Sequence, residues 1–227
     1  MSVAQVRPIF KLSAEAQVEA NLRDFILSGA VKPGSRVTEI ALSEQLGVAR
    51  ATLRTGLHKL ASEGILVQIP YTGWQIAELS AQDVWEVWTL RGSLEGLAAR
   101  LAAQCRNEKL RTKITQAYLR LDAACKAGRM DAISKCDFAF HRAIIEAAQH
   151  SRLDHQYRLV EQQVRLCIDT SNRIEEITPE AIRLQHKPIY EAIQAGKPAL
   201  AAEEAMAHNE SEGKRLEEWL KAAAGTR

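Results

Sequence analysis

The stretch "GVARATLRTGLHKLASEGIL", residues 47–66, decides the fold. Leu53, Leu57 and Leu60 recur at helical spacing, which predicts a helix over residues 50–62, closed by Gly64. Burying that leucine face leaves Arg50 and Arg54, four residues apart, near the exposed N-terminal end. Gly47 stops a shorter helix that Thr38 caps. Upstream, "KPGSRV" (residues 32–37) reads as a turn. Before that turn, Val18, Leu22, Phe25 and Ile26 predict a helix over 14–28 ended by Gly29. Downstream, "ILVQI" and "WQIAEL", parted by "PYTG", read as a β-hairpin with Gly73 in the turn. Three helices, the last two joined by a tight glycine turn, followed by a hairpin, have the order of a winged helix-turn-helix. The third helix of that motif enters the DNA major groove.

Arg50 and Arg54, with Thr52 between them, are the candidates for base edges or phosphates. Arg36 and Lys59 are candidate backbone contacts, and Thr72 and Gly73 stand at the wing tip. Charge adds little to this reading, because the net charge of the 227-residue chain is only +2 and the first 79 residues are near neutral. Any DNA footprint comes from local placement.

Composition bounds the rest. Apolar residues make up 46% of the chain and aromatics 5%, which suits helices around an aliphatic core. No apolar run reaches the length of a membrane span and no signal-peptide pattern opens the chain, so a cytoplasmic protein is expected. The cysteines, at 105, 125, 136 and 167, form no CxxC pair and read as reduced structural thiols.

From Ser80, which with Asp83 makes a capping box, only helical periodicity follows. Breaks near Asn107, Gly128, His150, Asn172–Thr178 and Gly196 divide the region into about six helices. The expected fold class is mainly α. Residues 1–79 form a winged helix-turn-helix, and residues 80–227 an all-helical bundle for ligand binding and dimerisation. The first helix of the bundle carries two apolar stripes. One has Val87, Leu90, Leu94 and Leu101; the other has Val84, Trp88, Ala98 and Ala102, together with Arg91 and Glu95.

Polar residues interrupt three of these helices where apolar ones belong. Asp137 and His141 sit one turn apart inside the stripe of Ile133, Phe140, Ile144 and Ala148. His186 lies among Ile182, Ile189 and Ile193, and His208 shares a face with Ala201, Ala205, Leu216 and Trp219. Buried singly, each would be expensive. A divalent metal such as Zn²⁺, Ni²⁺ or Mn²⁺ is the simplest common partner; separately satisfied core residues are the alternative. Arg91 and Glu95 read either as an ion pair along the helix or as a binding site for an anionic effector.

The N-terminal segment, "LRDFILSGAVKPGSRVTEIALSEQLGVARATLRTGLHKLASEGIL" with Gly73 in the wing, resembles the GntR family of bacterial transcription regulators. The remainder resembles the helical FCD effector domain of the FadR-type branch, through "LRGSLEGLAARLAA", "DFAFHRAIIEAA", "HKPIYEAIQAG" and "AMAHN". The resemblance implies a divalent metal on Asp137, His141, His186 and His208, a small carboxylate effector bound against it, and a homodimer on a palindromic operator. Three departures stand out. Ala49 replaces the serine that usually opens the recognition helix, Thr55 and Gly56 replace an acidic residue and an alanine, and His150 replaces an asparagine. Two rival functions are weighed: a metal-dependent enzyme fused to a winged helix, and a regulator whose metal is structural or is itself the signal. The lack of HExxH or a nucleophile–base pair speaks against the enzyme.

Overall fold

The structure, a computed structural model, describes residues 13–27, 31, 34–172, 174 and 177–225. Gly29, the expected end of the first helix, lies outside them. The chain divides into two compact units, Met1–Ala77 and Glu78–Arg227.

In the first unit, α1 (Ala14–Leu27), α2 (Glu39–Leu46) and α3 (Arg50–Ser62) are followed by β2 (Leu66–Ile69) and β3 (Gly73–Ile76). Thr38 caps α2 by accepting from the Ala41 N–H, and Gly47 ends it in the left-handed conformation. Leu53, Leu57 and Leu60 of α3 are fully buried with Val18, Leu22, Trp74 and Ile76. Each such leucine contributes about 1.5–3 kcal/mol by leaving water. That burial outweighs the weak start of α3, where Ala49 offers no side-chain cap, at a cost of about 1 kcal/mol. Gly56 serves packing, since a Cβ there would come within 2.9 Å of Val18 Cγ1 on α1.

One sequence expectation fails here. Residues Arg36–Val37, read as part of a turn, form strand β1, which pairs antiparallel with β3. The sheet order is β1-β3-β2. Two residues carry no periodicity, and their pairing partner lies almost forty residues away, so local pattern could not reveal the strand.

The second unit holds α4 (Ala81–Ala102), α5 (Glu108–Lys126), α6 (Met130–Ala147), α7 (Ser151–Ser171), α8 (Pro179–Gln194) and α9 (Pro198–Gly225). Ser80 and Asp83 form the expected capping box, Asn107 caps α5, and Thr178 caps α8 ahead of Pro179. His150 settles its own departure: its Nδ1 accepts from the Leu153 N–H at 3.2 Å and caps α7. The four cysteines are free thiols.

The two stripes of α4 do not contribute equally. Its buried face is the one with small residues, namely Val84, Gly92, Gly96, Ala98, Ala99 and Ala102, together with Arg91 and Glu95. Leu90 and Leu97 are exposed. Close approach of α9 explains the choice. A Cβ on Gly92 would lie 3.5 Å from Asn209 Cβ, one on Gly96 would lie 2.7 Å from Met206 Cγ, and one on Gly213 would lie 2.1 Å from Trp88 Cγ. This tight pair brings Arg91 and Glu95 level with His208 and Asn209.

Candidate metal centre and its cavity

Helices α6, α8 and α9 each place a polar side chain on an apolar inner stripe, and the structure brings these side chains to one place. His141, His186 and His208 each offer a ring nitrogen within 4.8 Å of the others'. His141 Nε2 lies 3.2 Å from His186 Nε2. Asp137 Oδ1 lies 3.4 Å from the first nitrogen and 3.3 Å from the second. The His208 ring stacks on His141 at 5.1 Å between centroids, and Phe140 closes the apolar side, edge-on to both His141 and His186. All four polar residues are buried.

The neighbours fix the tautomers. His186 Nδ1 donates to the Ile182 carbonyl at 2.7 Å. His141 Nδ1 lies 2.8 Å from Glu95 Oε2, which accepts its proton. With each Nδ1–H used, both Nε2 atoms carry lone pairs directed at Asp137 Oδ1 and at each other. Three acceptors so close together need a shared positive charge, either a proton on His141 Nε2 or a metal ion in its place. His208 adds a fourth donor atom, and its Nδ1 is buried without a partner among the described residues. Three imidazoles and a carboxylate match the preferences of Zn²⁺, Ni²⁺ or Mn²⁺, so the residues present fit a divalent ion.

A buried polar network holds these groups in place. Glu95 Oε1 accepts from Arg91 Nε at 2.8 Å and from the Tyr157 hydroxyl at 2.9 Å. Its Oε2 accepts from His141 and from Asn209 Nδ2 at 2.9 Å. Burial opposes the Glu95 charge, but Arg91 and His141 outweigh it and hold the carboxyl well below its usual range. Asn172 Nδ2 donates to Asp137 Oδ2 at 2.9 Å, leaving Oδ1 for the centre. Burial also opposes the Asp137 charge, yet His186 and His141 keep that carboxylate ionised.

The sequence reading paired Arg91 and Glu95 as effector contacts. Glu95 departs from this, because its four acceptor positions are taken by four protein donors. It orients His141 and Arg91 rather than meeting a ligand. Arg91 uses Nε for Glu95 and keeps Nη2 without a partner among the described residues. The ion pair along the helix is present, and Nη2 is left over beside it. Arg91, Asp137 and His208 line one cavity with Trp88, Cys167, Asn172, Asn209 and Glu212. Sequence reasoning missed Tyr157, Asn172, Asn209 and Glu212. Asn172 was seen only as a helix break, although Asn209 follows His208 directly in "AMAHN".

Proton competition at the centre is unequal. Burial works against a proton on His141, but the Glu95 carboxylate prevails and raises its pKa above the ordinary 6.5. Burial, followed by His186 and His141, pushes His208 well below that value and keeps it neutral. Only a neutral imidazole ligates. Metal affinity is therefore expected to fall as pH drops through the raised His141 pKa, by about tenfold per pH unit for one displaced proton. The loss begins with His141, not His208. Titrating metal-free protein with Zn²⁺ across that range measures it, and a flat profile would contradict the assignment.

The first unit carries the other candidates. Arg36, Arg50, Arg54 and Lys59 are all exposed, and Thr52 is half-buried. Arg54 Nε contacts both Glu39 oxygens, at 2.9 and 2.8 Å, while its side chain stays 61% exposed. Such a pair is worth about 0–1 kcal/mol and yields easily to a phosphate or base. Lys59 sits in the last turn of α3 beside Glu63, at 3.5 Å. Gly73 has φ +113° and a Cβ there would meet the Val37 carbonyl oxygen at 3.2 Å, so the wing needs glycine. Thr72 is exposed beside it. The wing tip also carries Tyr71, fully exposed at φ +64°, which the sequence reading passed over.

Both halves match known families. The family model of the FCD domain matches residues 86–211, and that of bacterial regulatory proteins of the gntR family matches residues 14–76. The chain belongs to the GntR family and carries an FCD domain. Its relatives include the Bacillus subtilis regulator LutR, 28% identical over 81% of this chain and 92% of that protein. Another is the Paenarthrobacter nicotinovorans protein named "Probable D-xylose utilization operon transcriptional repressor", 26% identical over 85% of each chain. E. coli McbR/YncC has the same fold, with a TM-score of 0.77 at 22% identity over 92% of this chain and 99% of that one. GntR-family members are DNA-binding transcription regulators and not enzymes, which sets aside the enzyme reading. No helix among the described residues is long and apolar enough to cross a membrane.

Proposed function

We propose that this GntR-family regulator is a cytoplasmic repressor. In this reading, residues 1–79 bind DNA, and residues 80–227 sense a small carboxylate at a divalent metal and form the homodimer. The observation that carries the sensing half is the convergence of three lone-pair atoms, His141 Nε2, His186 Nε2 and Asp137 Oδ1, within 3.2–3.4 Å. Asp137, His141, His186 and His208 would hold the ion, which when bound supplies a Lewis-acidic attachment point for a carboxylate. Arg91 Nη2, buried at the cavity wall without a partner among the described residues, supports an anionic effector. Glu95 holds that guanidinium in position.

In the DNA-binding half, Arg50, Thr52 and Arg54 face the major groove and Arg36 and Lys59 the backbone. Thr72, Gly73 and Tyr71 form the wing contact. A homodimer would set two such helices on a palindromic operator at a fixed half-site separation. The exposed Leu90 and Leu97, seven residues apart on α4, support a subunit contact along that helix. Coupling has a short covalent route: α4, which carries Arg91 and Glu95, starts at Ala81, four residues after the first unit ends at Ala77. Its size is bounded by the effector's differential affinity for the free and DNA-bound arrangements.

Selection of binding sites from random duplex DNA by the full-length protein tests this reading. It is expected to return a two-fold symmetric sequence. Arg54→Ala is expected to weaken binding to that sequence by about 1–3 kcal/mol. With Zn²⁺ present, short carboxylic acids are expected to lower affinity in wild type but not in Arg91→Gln. If no acid shifts affinity while His186→Ala loses the fold or the metal response, the metal is structural or is itself the signal.

A further inference from the structure

The cavity beside the metal centre has two chemically different ends. At the inner end stand Asp137, His208 and the free Arg91 Nη2. Asn209 adds an acceptor at the level of Arg91, and one turn further along α9 stands a second, Glu212. Asn209 Nδ2 donates to Glu95 Oε2 and to the Ala205 carbonyl, at 2.9 and 2.8 Å, so the amide orientation is fixed and Oδ1 is the atom left over. That Oδ1 is buried without a partner among the described residues, and so is Glu212 Oε1. The other Glu212 oxygen, Oε2, is already taken by Ser171 Oγ, at 2.9 Å, and by Arg215 Nη2. Asn209 and Glu212 both line the cavity, whose apolar walls come from Val84, Val87, Ile168 and Leu216.

We infer that the effector is a short carboxylic acid bearing a hydrogen-bond donor, a hydroxyl or an ammonium group, at the end away from its carboxylate. This rests on the reading of the site as a carboxylate sensor and goes beyond it by assigning Glu212 to the far end of the ligand. An unmodified acid fills the inner end and leaves the buried Glu212 Oε1 unserved, which a site built this way penalises. Four residues separate His208 from Glu212, about 6 Å along the helix. Some three or four carbons between carboxylate and donor bridge that span.

The test is calorimetric titration of Zn²⁺-loaded full-length protein with butyrate, 4-hydroxybutyrate and 4-aminobutyrate. At least one donor-bearing acid is expected to bind tenfold or more tightly than butyrate. Glu212→Leu, checked for its fold by circular dichroism, is expected to remove that preference. Glu212→Gln, which keeps an acceptor but no charge, is expected to retain a preference for the hydroxyl and lose any for the amine. Equal binding of all three acids to wild type overturns the inference and leaves the carboxylate sensor standing. So does a preference that survives in Glu212→Leu. If none of the three binds wild type, both fall together.

Discussion

Glu95→Gln is expected to destabilise the metal-free protein by about 3–5 kcal/mol, because it leaves the buried Arg91 charge without its counter-ion. The second consequence is more specific. Glutamine keeps one acceptor, which can serve Arg91 and Tyr157, but turns an N–H₂ toward His141 Nδ1 and Asn209 Nδ2, both of which donate to Glu95 here. His141 escapes the clash by moving its proton to Nε2, the atom that faces Asp137 and His186. A proton there occupies the lone pair that a metal requires. Metal affinity is therefore expected to drop by about 10–100-fold although no ligand has been changed. Thermal unfolding of the metal-free protein and Zn²⁺ titration check the two effects separately. A variant with unchanged melting temperature and unchanged affinity would show that Glu95 positions nothing.

Gly213→Ala is expected to cost about 2 kcal/mol despite alanine's better helix propensity. The added Cβ falls 2.1 Å from Trp88 Cγ, 2.4 Å from Cδ1 and 2.5 Å from Cβ. These atoms lie at the root of the indole, so no swing of a side-chain tip relieves the overlap, and α4 and α9 have to part. A melting temperature several degrees lower reports this. In a Trp88→Ala background the obstacle is gone, and the same substitution should become neutral or stabilising by up to about 1 kcal/mol. A cost that persists without the indole would place its origin elsewhere.

Physical reasons separate what was legible in the sequence from what was not. The leucine face of α3, the caps at Thr38, Ser80 and Thr178, and the glycine stops are local signals with fixed spacing, and they read directly. The four candidate ligands were legible for a related reason: a polar residue in an apolar stripe violates a pattern. Strand β1 was not, because it pairs with β3, almost forty residues away. The outward turn of Leu90 followed from Gly92, Gly96 and Gly213, whose effect on the α4–α9 approach depends on both helices together. Glu95's role escaped because i, i+4 spacing to Arg91 has a sufficient local explanation. The contact with His141, forty-six residues on, exists only in the folded chain. Asn172, Asn209 and Glu212 are residue types that usually sit on helix surfaces, and only burial without partners marks the latter two as cavity groups.

The account stands on Asp137, His141, His186 and His208 sharing one ion. Titrating chelator-treated full-length protein with Zn²⁺, Ni²⁺ and Mn²⁺, and repeating the titration on Asp137→Ala and His186→Ala, addresses that claim directly. The predicted result is one ion per chain for at least one of the three metals, bound far more weakly by both variants. Wild type that takes up none of them, or binding that both variants retain unchanged, would contradict it.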